Sequence, residues 1–344
     1  MRETILLDCG PGICSEIVIG AMEDALGRLL PADRDSVVII TDANVHRNNR
    51  DFVDSHRHII IGQGESTKTL RLIEDIYRQL LEMGADRNVF LLGMGGGVVT
   101  DITGFVAGTY LRGVRFGFVA TTLLGQVDAC IGGKNGVNLD GYKNIIGLIS
   151  QPEFVVCDIE KLRTLPEREF RSGMGEIVKA GIIGDAELFS ILEKHGYEGI
   201  KSSPSLLAEV IVRAIKVKVA VVAADEHEKG ERRKLNMGHT FAHALEKIVP
   251  GTAHGEAVAA GIVMISRVAV KRGKLSETDS QRITDVISGL GLPVEYPVEL
   301  KKLFSAIKYD KKREGDIINV VLPTGIGSCE VVPVSIAELE ELSI

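Results

Sequence analysis

Residues 89–101 read Val-Phe-Leu-Leu-Gly-Met-Gly-Gly-Gly-Val-Val-Thr-Asp, a pattern typical of strand-to-helix turns in α/β sheets. The apolar run predicts a buried strand, the glycines predict a tight turn, and the residues from Val98 onward predict a helix. Such a turn lets backbone N–H groups meet a pyrophosphate at the positive end of a helix. Val98 occupies the place of the third glycine in the ordinary dinucleotide fingerprint, so a plain structural turn is the alternative interpretation.

Further apolar runs rich in β-branched residues surround this stretch. Between several of them lie helical patterns, such as residues 68–77, whose apolar side chains share one face. The alternation of strands and helices predicts a parallel α/β sheet. The predicted buried strands are Val37–Thr41, His58–Gly62, Val89–Leu92, Phe116–Ala120 and Phe154–Cys157.

The pattern changes near Leu165 to long amphipathic stretches, which predict a mainly helical second half. We therefore expect an α/β domain over 1–165 and a helical domain over 166–344, with a cleft between them as the default site. The predicted helices are 167–195, 204–224, 237–249, 254–273 and 276–290, and a strand pair is predicted at Ile317–Leu322 and Cys329–Val334.

Composition narrows the function classes. The 344 residues include 40 basic and 47 acidic side chains, for a net charge of −7, and no basic run stands out. This balance argues against nucleic acid or an anionic membrane as the main partner and favours a small molecule. No segment has the roughly 18 consecutive apolar residues of a spanning helix, and no secretory signal is evident, so we expect a cytoplasmic protein. Five scattered cysteines without a CxxC leave histidines and carboxylates as metal ligands.

Two segments suggest ligand contacts in the first half. Asp42 and Asn44 follow a predicted strand, where such side chains can bond ribose hydroxyls, although this pattern alone is more often a plain turn. The segment 121–138 and the following Lys143-Asn144 combine cations and amides with glycines. That combination suits a phosphate-bearing substrate, and the alternative is a solvated lysine loop.

The helical half contains a candidate metal centre. His239 and His243 are four residues apart, and His254 follows eleven residues after His243. Together with a carboxylate, these residues make a plausible zinc site, and spacing alone nominates both His239 and His243 as ligands. A pair of structural histidines is the alternative. Glu176 and Lys179 are three residues apart and share a helix face. Most such pairs of opposite charge are surface ion pairs.

Taken together, these segments resemble 3-dehydroquinate synthase, a sugar-phosphate cyclase that depends on NAD and a divalent metal. The resemblance covers nearly the whole chain through several independent motifs. They are Thr41-Asp42, Gly64–Lys68, Gly95–Gly97, Thr109–Gly113, Thr121–Asn138, Lys143-Asn144, Glu176–Lys179, Asp225-Glu226, Leu235–His243, His254–Glu256 and Asp310–Lys312.

The resemblance implies a role for each matching residue. Zinc or cobalt would be bound by Glu176, His239 and His254, while His243 would contact substrate instead of metal. NAD contacts would come from Asp42, Asn44, Glu65, Lys68, Gly95, Gly96, Asp101, Thr121, Thr122, Lys134 and Lys143. The phosphorylated sugar-acid substrate would meet Asp128, Lys134, Asn144, Lys179, Lys218, Arg232, Asn236, His243 and Lys311. Arg112 would be supplied by the neighbouring subunit of a homodimer.

The implied reaction converts 3-deoxy-D-arabino-heptulosonate 7-phosphate to 3-dehydroquinate. A hydroxyl is oxidised by NAD, phosphate leaves by elimination, the hydride returns, and ring opening and aldol closure follow. The chain departs from the family pattern at Thr100, Ala120, Ala129, Cys130 and Asn135. Alternatives are another sugar-phosphate cyclase, a metal-dependent polyol dehydrogenase, or a non-catalytic sensor built on the same fold.

Overall fold

The structure is a computed structural model that describes residues 3–10, 13–308 and 316–343. The chain divides into two compact units, Met1–Leu165 and Pro166–Ile344. Lys311, predicted to contact substrate, lies outside the described residues, so that assignment stays a prediction. Within the described ranges, no helix combines the length and the apolar character that crossing a membrane requires.

The first unit is built around one twisted sheet with short helices. Its strands are β1 (Glu3–Gly10), β2 (Ile13–Ile19), β3 (Val37–Asp42), β4 (Arg57–Ile61), β5 (Phe90–Gly95), β6 (Arg115–Ala120), β7 (Lys134–Leu139), β8 (Tyr142–Ile149) and β9 (Phe154–Cys157). Its helices are α1 (Met22–Leu29), α2 (Ala43–Asn48), α3 (Arg50–Asp54), α4 (Leu70–Glu82) and α5 (Gly97–Thr109). Seven strands pair in the order β1-β2-β9-β6-β5-β3-β4.

The core strands of this sheet are parallel, as the sequence predicts. β3 pairs with β4 and β5, and β6 pairs with β5 and β9, all in parallel register. The side chains of Val37, Val38, Ile39 and Ile40 are completely buried, which explains why the run is apolar on both faces. Burying each such side chain contributes about 1.5–3 kcal/mol. The predicted fold class, a parallel α/β sheet followed by a helical region, is confirmed.

The sheet order places several predicted ligand-contact residues together at the carboxyl ends of neighbouring strands. β3, β5 and β6 are neighbours, with Thr41 opposite Met94 and Gly95 opposite Ala120. Their carboxyl ends therefore share an edge of the sheet. Ligands of open α/β sheets bind outside this edge.

One segment differs from the expected loop. Residues 134–149 form an antiparallel hairpin of β7 and β8, separate from the main sheet. The turn residues Asp140 and Gly141 have φ values of 50° and 80°. An Asp-Gly pair between two strands is a strong hairpin signal because both positions of a type I′ turn need positive φ. The glycines and lysines of this region had favoured a loop interpretation instead.

The second unit is mainly helical. Its helices are α6 (Glu167–Gly184), α7 (Ala186–Ser202), α8 (Pro204–Ala224), α9 (His239–Ile248), α10 (His254–Lys271), α11 (Glu277–Gly289), α12 (Leu300–Lys308) and α13 (Ile336–Ser343), and its antiparallel strands are β10 (Ile317–Gly325) and β11 (Ser328–Ser335). The single helix predicted over 167–195 is wrong, because the chain breaks at Asp185. The Asp185 side chain accepts a hydrogen bond from the Leu188 backbone N–H at 2.9 Å and so caps α7.

Candidate active site

Three potential metal ligands from three helices meet in the second unit. Glu176 lies on α6, His239 begins α9, and His254 begins α10. Glu176 Oε1 is 3.9 Å from His239 Nε2 and 3.5 Å from His254 Nε2. Two ligands on a tetrahedral zinc ion are about 3.3 Å apart when each bond is about 2.05 Å. The three donors are therefore spaced nearly as one bound ion requires.

Glycines beside the ligands allow this convergence. A Cβ atom at Gly255 would lie 1.8 Å from the Ser172 carbonyl oxygen, and one at Gly175 would lie 2.5 Å from the Gly255 carbonyl oxygen. Helices α6 and α10 thus cross with backbone in contact, next to Glu176 and His254. Any side chain at either glycine would push the two ligands apart.

The third ligand is positioned in a similar way. Gly238, which precedes α9, has φ +78°, and a Cβ there would lie 2.8 Å from the Ile262 backbone nitrogen. A Cβ at Gly261 would lie 2.2 Å from the Gly238 carbonyl oxygen. The start of α9 is therefore held directly against α10. This contact anchors His239, whose ring centre lies 5.3 Å from that of His254.

Hydrogen bonds set the tautomer of both histidines. His239 Nδ1 is 3.1 Å from the Met237 carbonyl oxygen, and His254 Nδ1 is 2.9 Å from Glu246 Oε1. A carbonyl oxygen only accepts, and the hydrogen bond to Glu246 raises the pKa of His254, so each Nδ1 carries a proton. Both Nε2 atoms then face Glu176: neutral His239 presents a lone pair there, and His254 does so once its Nε2 proton is released.

Glu246 is a functional residue that the sequence analysis missed. Its side chain is only 6% exposed and contacts the ring of His254. It lies seven residues after His239 and three after His243, which places it on the same face of α9. That spacing was visible in the sequence, but the pairing with His254 depends on how α9 packs against α10.

The chemistry of Glu176 fits a divalent cation. Both carboxylate oxygens are buried, and within the described residues Oε1 accepts no hydrogen bond. Burial alone would raise the pKa of Glu176, but the adjacent Lys179 ammonium and His254 outweigh it and lower the pKa to about 2. An ionised, buried oxygen without a donor needs a positive partner. One carboxylate and two imidazoles suit zinc or cobalt and leave coordination positions for substrate.

The two histidines differ in protonation. Burial and the nearby Lys179 ammonium lower the pKa of His239 well below its ordinary value, so this imidazole is neutral. Burial alone would lower the pKa of His254 as well, but the Glu176 and Glu246 carboxyl groups beside its ring outweigh burial and raise it to about 9. In the absence of metal, a proton on His254 therefore takes part of the role of the cation. Metal binding would release that proton.

His243 lies one turn beyond His239 on α9. Its ring centre is 5.5 Å from that of His239, in an edge-to-face arrangement. The donor group of the second unit consists of Glu176, His239 and His254 within the part of the chain that the structure describes. The spacing argument, which nominated His239 and His243 together, does not match this geometry.

Predicted substrate residues of the second unit surround the same helices. Lys179 is buried and forms an ion pair with Glu176 one turn away. Arg232 is 1% exposed, and its guanidinium donates to the Glu226 carbonyl oxygen. Lys218 is also buried, near the end of α8. The second unit thus holds three buried cations, an unusual set unless they serve an anionic ligand.

A loop between α8 and α9 presents Arg232 and Asn236. Asp225 organises it by accepting hydrogen bonds from the backbone N–H groups of Gly230 and Arg232 at 2.6 and 3.1 Å. Burial raises the pKa of Asp225, but these backbone donors outweigh it and lower the pKa overall. Asn236 donates to Glu228 Oε1, a residue that the sequence analysis did not single out.

Predicted NAD contacts of the first unit gather at the carboxyl edge of its sheet. Gly95 and Gly96 join β5 to α5, and Thr121 donates its backbone N–H to the Gly95 carbonyl oxygen at 3.0 Å. A Cβ at Gly96 would lie 2.8 Å from the Thr122 side chain. Gly96 is the N-cap of α5, and no side chain of the described residues caps this helix. Its first N–H groups can therefore bind a pyrophosphate.

Asp42 and Asn44 follow β3 on the same edge. Asp42 Oδ1 accepts from the backbone N–H groups of Asn44 and Val45 at 2.8 and 3.1 Å. This cap fixes the start of α2. Asp42 is partly exposed and Asn44 is exposed, so both side chains can be reached by a ligand.

A second polar group of the first unit joins residues from three predicted segments. The buried ammonium of Lys68 contacts the carboxylate of Asp101 and the side-chain oxygen of Asn144. Burial raises the pKa of Asp101 to about 6 although the Lys68 ammonium opposes this. Asn138, which the sequence analysis named only within a longer segment, donates to Glu65 Oε1 at 2.8 Å. The hairpin therefore contacts the segment that precedes α4.

The remaining predicted residues occupy the hairpin and the end of α5. Lys134 begins β7 and Lys143 lies on β8, both exposed, while Asp128 lies in a π-helical turn over Gly125–Ala129. Arg112 is exposed and follows α5 with φ 69°. Because the 13 residues of α5 span about 20 Å, Arg112 lies near the amino ends of the strands, away from Gly96.

The departures from the family pattern have local partners. Cys130 Sγ is 3.6 Å from Thr100 Oγ1, so two departures contact each other. Burial raises the pKa of Cys130 to about 12, which excludes a thiolate at neutral pH. Asn135 Nδ2 donates to the carbonyl oxygens of Gly133 and Ser150 at 2.8 and 3.0 Å. These side chains are satisfied within the fold.

Most of the chain matches two models of one known protein family. Residues 58–172 match the family model described as 3-dehydroquinate synthase N-terminal. Residues 173–313 match the model described as 3-dehydroquinate synthase C-terminal.

Two curated proteins and one solved structure are similar over most of the chain. A 3-dehydroquinate synthase of Pelobacter propionicus is 40% identical over 83% of this chain and 80% of its own length. A second, of Idiomarina loihiensis, is 44% identical over 78% of this chain and 76% of its own length. The structure of a 2-epi-5-epi-valiolone synthase from Streptomyces hygroscopicus, with NAD+ and Zn2+ bound, is 29% identical, with a TM-score of 0.87 and 97% of each chain covered.

Proposed function

The chain belongs to the 3-dehydroquinate synthase family, and from this premise we propose how its own residues carry out the reaction. The enzyme is an NAD- and divalent-metal-dependent carbon–oxygen lyase. It converts 3-deoxy-D-arabino-heptulosonate 7-phosphate to 3-dehydroquinate and releases phosphate. The predicted family, activity and cofactors agree with these comparisons.

The observation that carries the proposal is the buried group of Glu176, His239 and His254. These residues would hold zinc or cobalt through Glu176 Oε1 and the two Nε2 atoms, both of which face the carboxylate. When bound, the metal acidifies the substrate hydroxyl and NAD accepts and then returns the hydride. Glu246 keeps the His254 ring in the productive orientation.

The buried cations would bind the acidic groups of the substrate. A phosphate and a carboxylate together carry close to three negative charges at neutral pH, and Lys179, Lys218 and Arg232 offer three positive ones from the second unit. Asn236 and His243 add polar groups that orient the substrate. Such positioning favours elimination because it fixes the leaving phosphate relative to the proton that is lost.

The first unit would bind NAD at the carboxyl edge of its sheet. The uncapped start of α5 meets the pyrophosphate, and Gly95 and Gly96 allow its close approach. Asp42 and Asn44 would contact the adenosine ribose, with Thr121 and Thr122 on the neighbouring strand end. Further contacts would come from Glu65, Lys68, Asp101, Lys134 and Lys143, while Asp128, Lys134 and Asn144 would reach the substrate.

We also propose a homodimer in which Arg112 serves the partner's site. The position of Arg112, about 20 Å of helix away from Gly96, supports this because its guanidinium cannot reach the cofactor edge of its own sheet. A guanidinium suits phosphate because it donates two parallel hydrogen bonds. We place the enzyme in the cytoplasm, where its thiols stay reduced.

A phosphate-release assay tests the function. The metal-loaded chain is mixed with the heptulosonate phosphate and NAD, and inorganic phosphate and NADH absorbance are followed together. Phosphate should appear while NADH stays flat, because oxidation and reduction occur within one turnover. Glu176→Gln should be inactive, whereas Glu209→Gln, which removes an exposed carboxylate of α8, should match wild type. Stoichiometric accumulation of NADH would identify a dehydrogenase and overturn the proposal.

A further inference from the structure

A second group of metal-binding side chains lies in the first unit, outside the residues assigned to the reaction. His46 Nε2 is 2.7 Å from Asp54 Oδ1, and His58 Nε2 is 3.9 Å from the same oxygen. The two imidazole rings are stacked with centres 5.6 Å apart. One donor atom of each residue lies within 4.8 Å of the others, as in the Glu176 group.

Hydrogen bonds and strand pairing hold the backbone that carries these residues in place. His46 lies in the last turn of α2, whose start is capped by Asp42. Asp54 ends α3, and Asn49, between the two helices, donates from its side chain to the Val45 carbonyl oxygen at 2.9 Å. His58 lies on β4 opposite Ile39 of β3. The three donors therefore come from two adjacent helices and from β4, the edge strand of the sheet.

One hydrogen bond orients the His58 ring so that its other nitrogen faces Asp54. His58 Nδ1 is 3.0 Å from the His56 carbonyl oxygen, which only accepts, so Nδ1 carries the proton. The lone pair of His58 therefore lies on Nε2, the atom that faces Asp54. Fixing the far ring nitrogen on a carbonyl is the usual arrangement of a metal-bound histidine.

His46 and Asp54 are joined by a hydrogen bond, and a bound metal ion would take its place between the two side chains. The hydrogen bond from His46 lowers the pKa of Asp54, so the carboxylate is ionised. The second carboxylate oxygen lies 3.6 Å from Arg50 Nε, which leaves Oδ1 for a monodentate metal bond. The side chains of His46, Asp54 and His58 are 17%, 47% and 29% exposed. Water can therefore complete the coordination shell.

We propose that His46, Asp54 and His58 form a second divalent-metal site, which takes zinc, cobalt or another ion that prefers imidazole. Two imidazoles and one carboxylate are the same donor set as in the Glu176 group. The exposed site lacks the buried carboxylate of that group, and water competes for its donors. It therefore binds zinc at least tenfold more weakly than the first site. The proposal does not depend on the catalytic function.

Zinc titration of the full chain tests the proposal. The protein is freed of metal, carries no polyhistidine tag, and is titrated with zinc against a chromophoric chelator. Wild type should bind two equivalents in two separate steps. His58→Ala should lose the weak step and keep the tight one, while His254→Ala should lose the tight step and keep the weak one.

Matched variants separate the site from general histidine binding. His227→Ala removes a 59% exposed imidazole outside the cluster and should retain both steps. Asp54→Asn keeps the side-chain volume and should weaken the second step at least tenfold. A wild type that binds one equivalent, or a His58→Ala variant that retains the weak step, overturns the proposal. Circular dichroism of each variant establishes that it is folded.

Discussion

Replacing Glu246 by Gln should weaken metal binding without removing any metal ligand. Glu246 Oε1 accepts a 2.9 Å hydrogen bond from His254 Nδ1, and its side chain is 6% exposed. A hydrogen bond to a buried charged group is worth about 1.5–3 kcal/mol, whereas a neutral one is worth about 1 kcal/mol. Gln keeps the volume and a neutral acceptor, so the expected loss is about 0.5–2 kcal/mol. This corresponds to a metal Kd raised roughly 2- to 30-fold, a range whose upper part matches outer-sphere changes in other metal sites.

The assay is a competition titration of zinc against a chelator, with wild type, Glu246→Gln and Glu209→Gln compared. Glu209→Gln removes an exposed carboxylate paired with Arg213 and should leave the Kd unchanged. With zinc at saturating concentration, Glu246→Gln should recover most of its phosphate-release rate, because the ligands themselves are intact. An unchanged Kd would refute the reasoning that Glu246 orients His254. A loss of folding, seen by circular dichroism, would show a structural role instead.

Three further predictions concern other parts of the site. His254→Ala should lose metal, measured by elemental analysis, whereas His243→Ala should keep its metal and lose phosphate release. Equal metal loss in both variants would favour the ligand pair His239 and His243, which residue spacing nominates, over the ligand set that the family resemblance implies. Arg112→Ala and His239→Ala chains should each be inactive alone. Activity should return when they are mixed, because a mixed dimer has one site with both an intact His239 and an intact Arg112 from the partner. If subunit exchange is demonstrated and the mixed dimers are inactive, Arg112 does not act in the partner's site. Burial raises the pKa of Asp101 from its ordinary value of 3.8 to about 6, so the stability that its protonated form contributes is present below about pH 4 and lost as pH rises through 6. Between those limits the wild type should lose up to about 3 kcal/mol relative to Asp101→Asn, since one pKa unit is about 1.4 kcal/mol; denaturant melts at several pH values check this, and a constant difference would contradict it.

Much of the fold follows from patterns within short segments. The run at Val37–Thr41 predicts a central strand because a strand buried on both faces must be apolar throughout. The hairpin at 134–149 was missed because its glycines and lysines also fit a ligand loop, although Asp140-Gly141 carries the turn signal. The break at Asp185 was missed because amphipathic periodicity continues across it.

The site was less accessible to pattern analysis. Spacing placed His239 and His243 together, since both lie on one face of α9, and only the crossing of α6 with α10 shows that Glu176 and His254 are the neighbours of His239. That crossing depends on Gly175 and Gly255, whose importance is tertiary. Glu246 could not be assigned because its role depends on a contact between helices. The family resemblance supplied the ligand set that periodicity left open.

Anomalous diffraction at the zinc edge, from crystals of the zinc-loaded chain, tests the proposed metal centre most directly. We expect a strong peak within about 2.0–2.2 Å of Glu176 and of the Nε2 atoms of His239 and His254, with His243 outside bonding distance. A peak bonded to both His239 and His243, or no peak at Glu176, would contradict it.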